Sequence, residues 1–306
     1  MSSKAWPALP LAAWQDTRDT LHMWTQIVGK VRLALAPRMN HWWHITLYVT
    51  SRGLTTSLMP YGGRGLEMEF DFHRHVLDIR TTDGEHREVR LEPRSVADFH
   101  AETMARLTEL GMPVDIYPRP TEVTVAIPFP DDQVHHSYDP EYAHRFWVSL
   151  VGAHHLLTAF RSRFIGKASP VHFFWGSFDL ATARFSGRTA PLHPGGVPNC
   201  PDWVQQEAYS HEISSCGYWP GGGSEGVFFA YTYPAPDGFE AWPVRPDAAS
   251  FDQTLRDYVL PYETIRTADD PSQLVLTFLQ STYDAGAELG RWDRQSLERQ
   301  AGGYER

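Results

Sequence analysis

Residues 40–53 read NHWWHITLYVTSRG, with Trp42 and Trp43 set between His41 and His44 and a run of β-branched and aromatic residues behind them. Such residues favour a pleated, half-buried surface, so the stretch predicts a strand. Strand side chains alternate between faces. His41 would then share a face with Trp43, Ile45, Leu47 and Val49, and His44 with Trp42, Thr46 and Tyr48. Two imidazoles three residues apart point opposite ways and cannot grip one ion. The face of His44, which carries hydroxyls, is the better pocket wall; a hydrogen-bonded core imidazole is the plain alternative for either histidine.

A second stretch has the same flavour. HFFWGSF from His172 can be laid on HWWHITL from His41, and FWVSLVG from Phe146 on MWTQIVG from Met23, which pairs Trp24 with Trp147 and Gly29 with Gly152. Working outward, apolar steps of three and four predict helices over about 16–35, from Ser95 to Leu110, from Asp139-Pro140 onward, over 250–260 and over 270–289. Between them lie strand-like runs at 66–72, 75–80, 86–91, 171–185, 207–219 and 227–233. Asp83-Gly84 is a hairpin signal, because both residues tolerate positive φ. The order helix, strands, helix thus occurs twice. The expectation is an α+β fold, a mixed, largely antiparallel sheet with flanking helices, in two similar halves from an internal duplication. Residues 1–112 and 140–306 form the halves and the Pro-rich 113–139 connects them, in one compact unit whose seam is the natural cleft.

The chain has 306 residues, 42% hydrophobic and 21% charged, with a net charge of -10. An acidic average field repels phosphate backbones and anionic lipid heads, and no Lys/Arg run offsets it. Neither nucleic acid nor membrane is an expected partner; a small-molecule ligand is. The start, MSSKAWPALPLAAWQD, lacks the apolar core of a signal peptide, and no run of about 18 apolar residues occurs. Only Cys200 and Cys216 are present, which suits a reducing compartment. The expected location is cytoplasmic.

WPALPLAAWQDTRDTLHMWTQIVGKVRLAL from Trp6, NHWWHITLYVTSRGLTTS from Asn40, SPVHFFWGSFDLATARFSGR from Ser169 and YSHEISSCGYWPGGG from Tyr209 together resemble an uncharacterised bacterial family, the domain of unknown function 5996 family. The resemblance covers nearly the whole chain. It implies a single shared architecture and carries no reaction or site residue to any position here.

The chemistry therefore rests on the residues. On a single strand His172 would share a face with Phe174, Phe178 and Leu180, and Asp179 with Phe173, Trp175 and Ser177. A carboxylate in an aromatic strand is costly to bury unless paired, so Asp179 must meet water, a site, or an arginine; Arg184 and Arg188 are the near candidates. On 207–219, Glu207, Tyr209, His211 and Ile213 would share a face. His44, His172, Asp179 and His211 are the candidate catalytic groups, the imidazoles for proton transfer and the carboxylate for orientation. Trp42, Trp43, Phe174, Trp175 and Tyr209 are candidate ligand contacts. If the halves meet at their seam, His41, His172 and His211 could converge on zinc or iron. His73 and His75 read as a solvated strand end, and Cys216 with His211 needs a bulge to meet. Neither a serine-hydrolase elbow nor a P-loop is present. The leading expectation is an enzyme acting on a small, partly apolar molecule through a His/acid centre between the halves; the rivals are a non-catalytic binding protein with an aromatic pocket and an oligomeric scaffold.

Overall fold

The computed structural model describes residues 6–299. It contains two open antiparallel sheets of six strands each. The long helix α1 (Leu11–Leu35) precedes β1 (Tyr48–Val49), β2 (Gly53–Thr55), β3 (Met59–Tyr61), β4 (Arg64–Asp71), β5 (Val76–Thr81) and β6 (His86–Arg90), and α2 (Val96–Glu109) closes this part. The second part runs α3 (Pro140–Arg161), β7 (His172–Phe174), β8 (Asp179–Thr189), α4 (Asp202–Ala208), β9 (His211–Trp219), β10 (Val227–Tyr233), β11 (Ser250–Asp252), β12 (Asp257–Pro261), α5 (Tyr262–Thr267), α6 (Pro271–Leu289) and α7 (Arg294–Leu297). The expected α+β class with two similar sheet halves holds.

Local chemistry sets most boundaries. Ser95 Oγ accepts the Asp98 amide, and the Asp139 and Asp270 carboxylates cap α3 and α6, each with proline at the first helical position where no N–H is needed. Gly84, at φ 89, turns β5 into β6. In the first sheet, Leu54, Leu66, Met68, Phe70, Leu77 and Ile79 are fully buried, and α1 and α2 pack against this sheet and each other, with Trp24 stacked on Phe99 at 4.6 Å. Helices α3 and α6 cover one face of the second sheet.

The sheets meet edge to edge. Leu47 and Phe173, both fully buried, exchange backbone hydrogen bonds of 2.7 and 2.9 Å, which joins the β1 edge to the β7 edge. Phe146 of α3 fills the corner behind the joint: its ring lies 5.6 Å from Trp14 of α1, 6.1 Å from Phe72, 6.2 Å from Phe173 and 5.0 Å from Phe178.

Four stretches depart from the sequence expectation. Residues 40–42 form a 3-10 turn with left-handed backbone at His41 (φ 56) and Trp42 (φ 62), so the strand begins only after Leu47. Residues 171–185 are a hairpin, with Phe178 at φ 64 in its turn. Residues 250–260 are the β11–β12 hairpin, because Asp252 accepts the Thr254 and Leu255 amides and turns the chain where a helix would continue. Glu207, expected on a strand, lies in α4.

Phe146→Ala removes a fully buried ring from the junction of both sheets, and should cost about 3–5 kcal/mol. Urea unfolding followed by tryptophan fluorescence measures it; Val125→Ala, at a residue 76% exposed, is the control and should stay within about 0.5 kcal/mol.

Candidate functional site

The β7–β8 turn, residues 175–178, is gripped from every side. Trp175 Nε1 donates to the Ile45 carbonyl at 2.7 Å, and its indole occupies the notch that Gly29 leaves on α1; a Cβ on Gly29 would stand 2.3 Å from Trp175 Nε1. The Gly176 carbonyl accepts from His22 Nε2 at 2.8 Å. Phe178 is sandwiched between Phe146 and His22. Ser177 Oγ donates to Asp179 Oδ1. A non-glycine residue at positive φ is held only where its surroundings over-determine it, and Phe178 is such a residue, next to Asp179.

A second strained residue faces this turn. Glu122, at φ 62, follows Thr121, whose amide and carbonyl are both paired at 2.8 Å with the fully buried Gln26 side chain of α1. Its own amide donates to the Pro198 carbonyl at 2.8 Å. The Glu122 carboxylate lies against Gly176, where a Cβ would meet Oε1 at 2.3 Å; only glycine lets it in.

Turn and connector together wall a cavity of about 530 Å³ on the face of the second sheet opposite α3 and α6. Ala181, Ala183, Ser215 and Phe229 belong to its sheet wall, and His41, Trp42, Trp43, α4 and Tyr209 also border it. Asp179, Glu122 and Asp257 all face it. Burial pushes Asp179 up to about 6. Burial and the charge of Asp179 push Glu122 to about 7 and, with a further contribution from Asp252, Asp257 to about 7. Among the described residues no cation lowers any of the three. Arg18, the one guanidinium on the wall among the described residues, is turned to Asp19 and the Gly221 carbonyl. Tyr209 and Tyr231 share a 2.7 Å hydroxyl bond, and burial raises both phenols, Tyr209 to about 12.

The arginines expected for Asp179 are elsewhere. Arg184 lies on the other face of β8, 3.5 Å from the Phe160 ring centroid and 4.4 Å from that of Tyr283, while Arg188 pairs with Glu212 at 2.6 Å. Asp179 and His172, expected on opposite faces, share the cavity, because the turn resets the alternation and pairs Phe174 with Asp179 and His172 with Ala181.

The histidines separate. His172 is fully buried; burial, with the charges of Arg32 and Arg161, lowers its pKa to about 3. Its Nδ1 is 2.9 Å from Thr46 Oγ1 and its Nε2 has no partner. His41 donates from Nδ1 to the Ala208 carbonyl at 2.9 Å and is held low by burial. Its ring meets His211 edge-on at 5.6 Å, but His211 does not line the cavity. His44 accepts the Met39 amide at 3.2 Å and stacks on Trp42, also off the cavity. Trp42, Trp43, Phe174 and Tyr209 line it; Trp175 supports the turn instead. Among the described residues no three His, Cys, Asp or Glu side chains are placed to hold a metal ion, so the expected His41, His172 and His211 set does not assemble. Sequence reasoning missed Glu122, Asp257, Tyr231 and His22. Glu122 is a lone acid in a proline-rich connector, and Asp257 was assigned to a helix.

A family model described as a family of unknown function, DUF5996, matches residues 6–299. No curated protein and no solved structure matches the chain. No helix among the described residues is long and apolar enough to cross a membrane.

A carboxyl group whose pKa is raised on folding holds its proton more tightly in the folded state. Its burden on stability is absent below the unfolded value near 4, grows between that value and about 6, and is fully present above. Asp179→Asn should therefore stabilise the fold at pH 8 by on the order of 2 kcal/mol, and by much less at pH 4.5. Paired denaturant melts at the two pH values measure the difference; an equal effect at both contradicts it.

Proposed function

The chain belongs to the DUF5996 family, and we propose that its cavity binds a small, partly apolar molecule carrying a basic nitrogen. One observation carries this reading: three carboxylates with no cationic partner among the described residues border an aromatic-walled cavity. Buried charges without partners are costly, and an ammonium group would supply the missing charge. Trp42, Trp43, Phe174, Tyr209 and Phe229 offer apolar surface and ring faces, which attract cations. The acidic average charge of the chain favours the same sign of ligand.

A second reading, a catalytic centre, rests on the proton balance of the same cluster. With Asp179 at about 6 and Glu122 and Asp257 at about 7, the cluster holds both protonated and ionised carboxyls near neutrality, the combination that general acid–base chemistry needs. In this reading the carboxylates move the proton, while His41 and His172, whose pKa values burial lowers, stay neutral and orient the molecule.

Benzylamine and benzyl alcohol, close in shape and different in charge, test the first reading by ligand-observed NMR. The amine should bind at pH 8, and weaken as pH falls through about 7 and about 6 while the carboxylates protonate. The alcohol should bind more weakly and without that pH dependence. Asp179→Asn should weaken the amine about tenfold and leave the alcohol unchanged. Equal affinity for both probes at pH 8 would remove the reading.

A further inference from the structure

We infer that His172 Nε2 is a second polar anchor of the cavity and accepts a hydrogen bond from the far end of a ligand whose ammonium group lies at Asp179. The inference rests on the cavity being an amine site. It defines the ligand class more narrowly, as an elongated amine with a hydroxyl or N–H donor at the end remote from the nitrogen.

Four observations lead there. His172 is fully buried and lines the cavity, and its Nε2 has no hydrogen-bond partner; such a group is expensive to leave unmatched. Its other nitrogen is engaged. The Thr46 hydroxyl has one proton and lies 3.3 Å from the Trp43 carbonyl and 2.9 Å from His172 Nδ1, so both contacts are hydrogen bonds together only when the hydroxyl donates to Trp43 and accepts from His172 Nδ1–H. That tautomer leaves a lone pair on Nε2, an acceptor. The ring stays neutral at physiological pH because burial holds it at about 3.

With Nδ1 engaged by Thr46, Nε2 is the ring nitrogen left to the cavity that His172 lines. The register partner of His172 is Ala181, followed on the same face by Ala183, two small residues that also line the cavity. Asp179 is two residues from Ala181 on that face, which makes His172 and Asp179 diagonal neighbours across the β7–β8 pair, about 7–8 Å apart along the backbone.

The test uses the full chain at pH 8 with phenethylamine, tyramine, which adds a para-hydroxyl donor, and 4-methoxyphenethylamine, which offers an acceptor at that position. Tyramine should bind about tenfold more tightly than phenethylamine, and the methoxy compound should gain nothing. In His172→Phe the ratio of tyramine to phenethylamine affinity should fall to about one. Thr46→Val keeps the imidazole and removes the acceptor that fixes its tautomer; there the preference of tyramine over the methoxy compound should shrink, a measurement that stands if His172→Phe does not fold. Phenethylamine binding with no tyramine advantage in the wild type overturns this inference alone. A gain by the methoxy compound also overturns it, and points to a donor such as the unpartnered Trp42 Nε1. Failure of phenethylamine itself to bind overturns the amine reading beneath it.

Discussion

The joint between Leu47 and Phe173 is the constraint on which the rest depends. An open sheet has two edges with unpaired amides and carbonyls, and here one edge of each sheet satisfies the other through this bridge. Because β7 is anchored to Leu47, the residues just before it, His41 to Ile45, are carried to the second sheet. They close one side of a cavity that the second sheet could not close alone. The Phe146 cluster makes the joint rigid by packing one ring against α1, the residue that follows β4, and the first arm and turn of the β7–β8 hairpin. The cavity is thus bordered by both halves, although its floor belongs to one.

Against that frame the acidic cluster is a local departure from what stability favours. Asp179 is 8% exposed with no cation beside it among the described residues, and Phe178 next to it and Glu122 within the cluster hold left-handed backbone that glycine would adopt more easily. Sequences tolerate such combinations where they serve a site. Elsewhere the chain follows the ordinary rule: Glu69 and Asp71 are more buried than Asp179, and each lies within reach of an arginine, Arg80 and Arg52.

How much could be read from the residues follows from the range of the forces involved. Helices α1, α2, α3 and α6 and the Asp83-Gly84 hairpin are set by nearby residues, through apolar periodicity, caps and turn chemistry, and they lie where the pattern puts them, apart from an early start of α1. The aromatic stretches misled because alternation was carried through turns. His41 and Trp42 adopt a conformation unusual for their residue types, and the turn at 175–178 reverses the parity that would have separated His172 from Asp179. Asp179 was legible as a carboxylate out of place; its companions were not. Glu122 is brought in by Gln26, a contact across 95 positions, and Asp257 by a hairpin whose residues also suit a helix. Burial, invisible in composition, lowers the pKa of both His41 and His172, and the cavity that they line is also bordered by three carboxyl groups, of which the expectation named only Asp179.

The indole of Trp175 in the notch at Gly29 has a mechanical meaning. Helix α1 also supplies His22 to the Gly176 carbonyl and Gln26 to the backbone before Glu122, so three successive turns of one helix, at positions 22, 26 and 29, hold the two strands of chain that bear the acids. The amino-terminal helix therefore works as a jig: sliding it by a single residue along its axis would unseat the tryptophan and pull both carboxylates out of alignment at once.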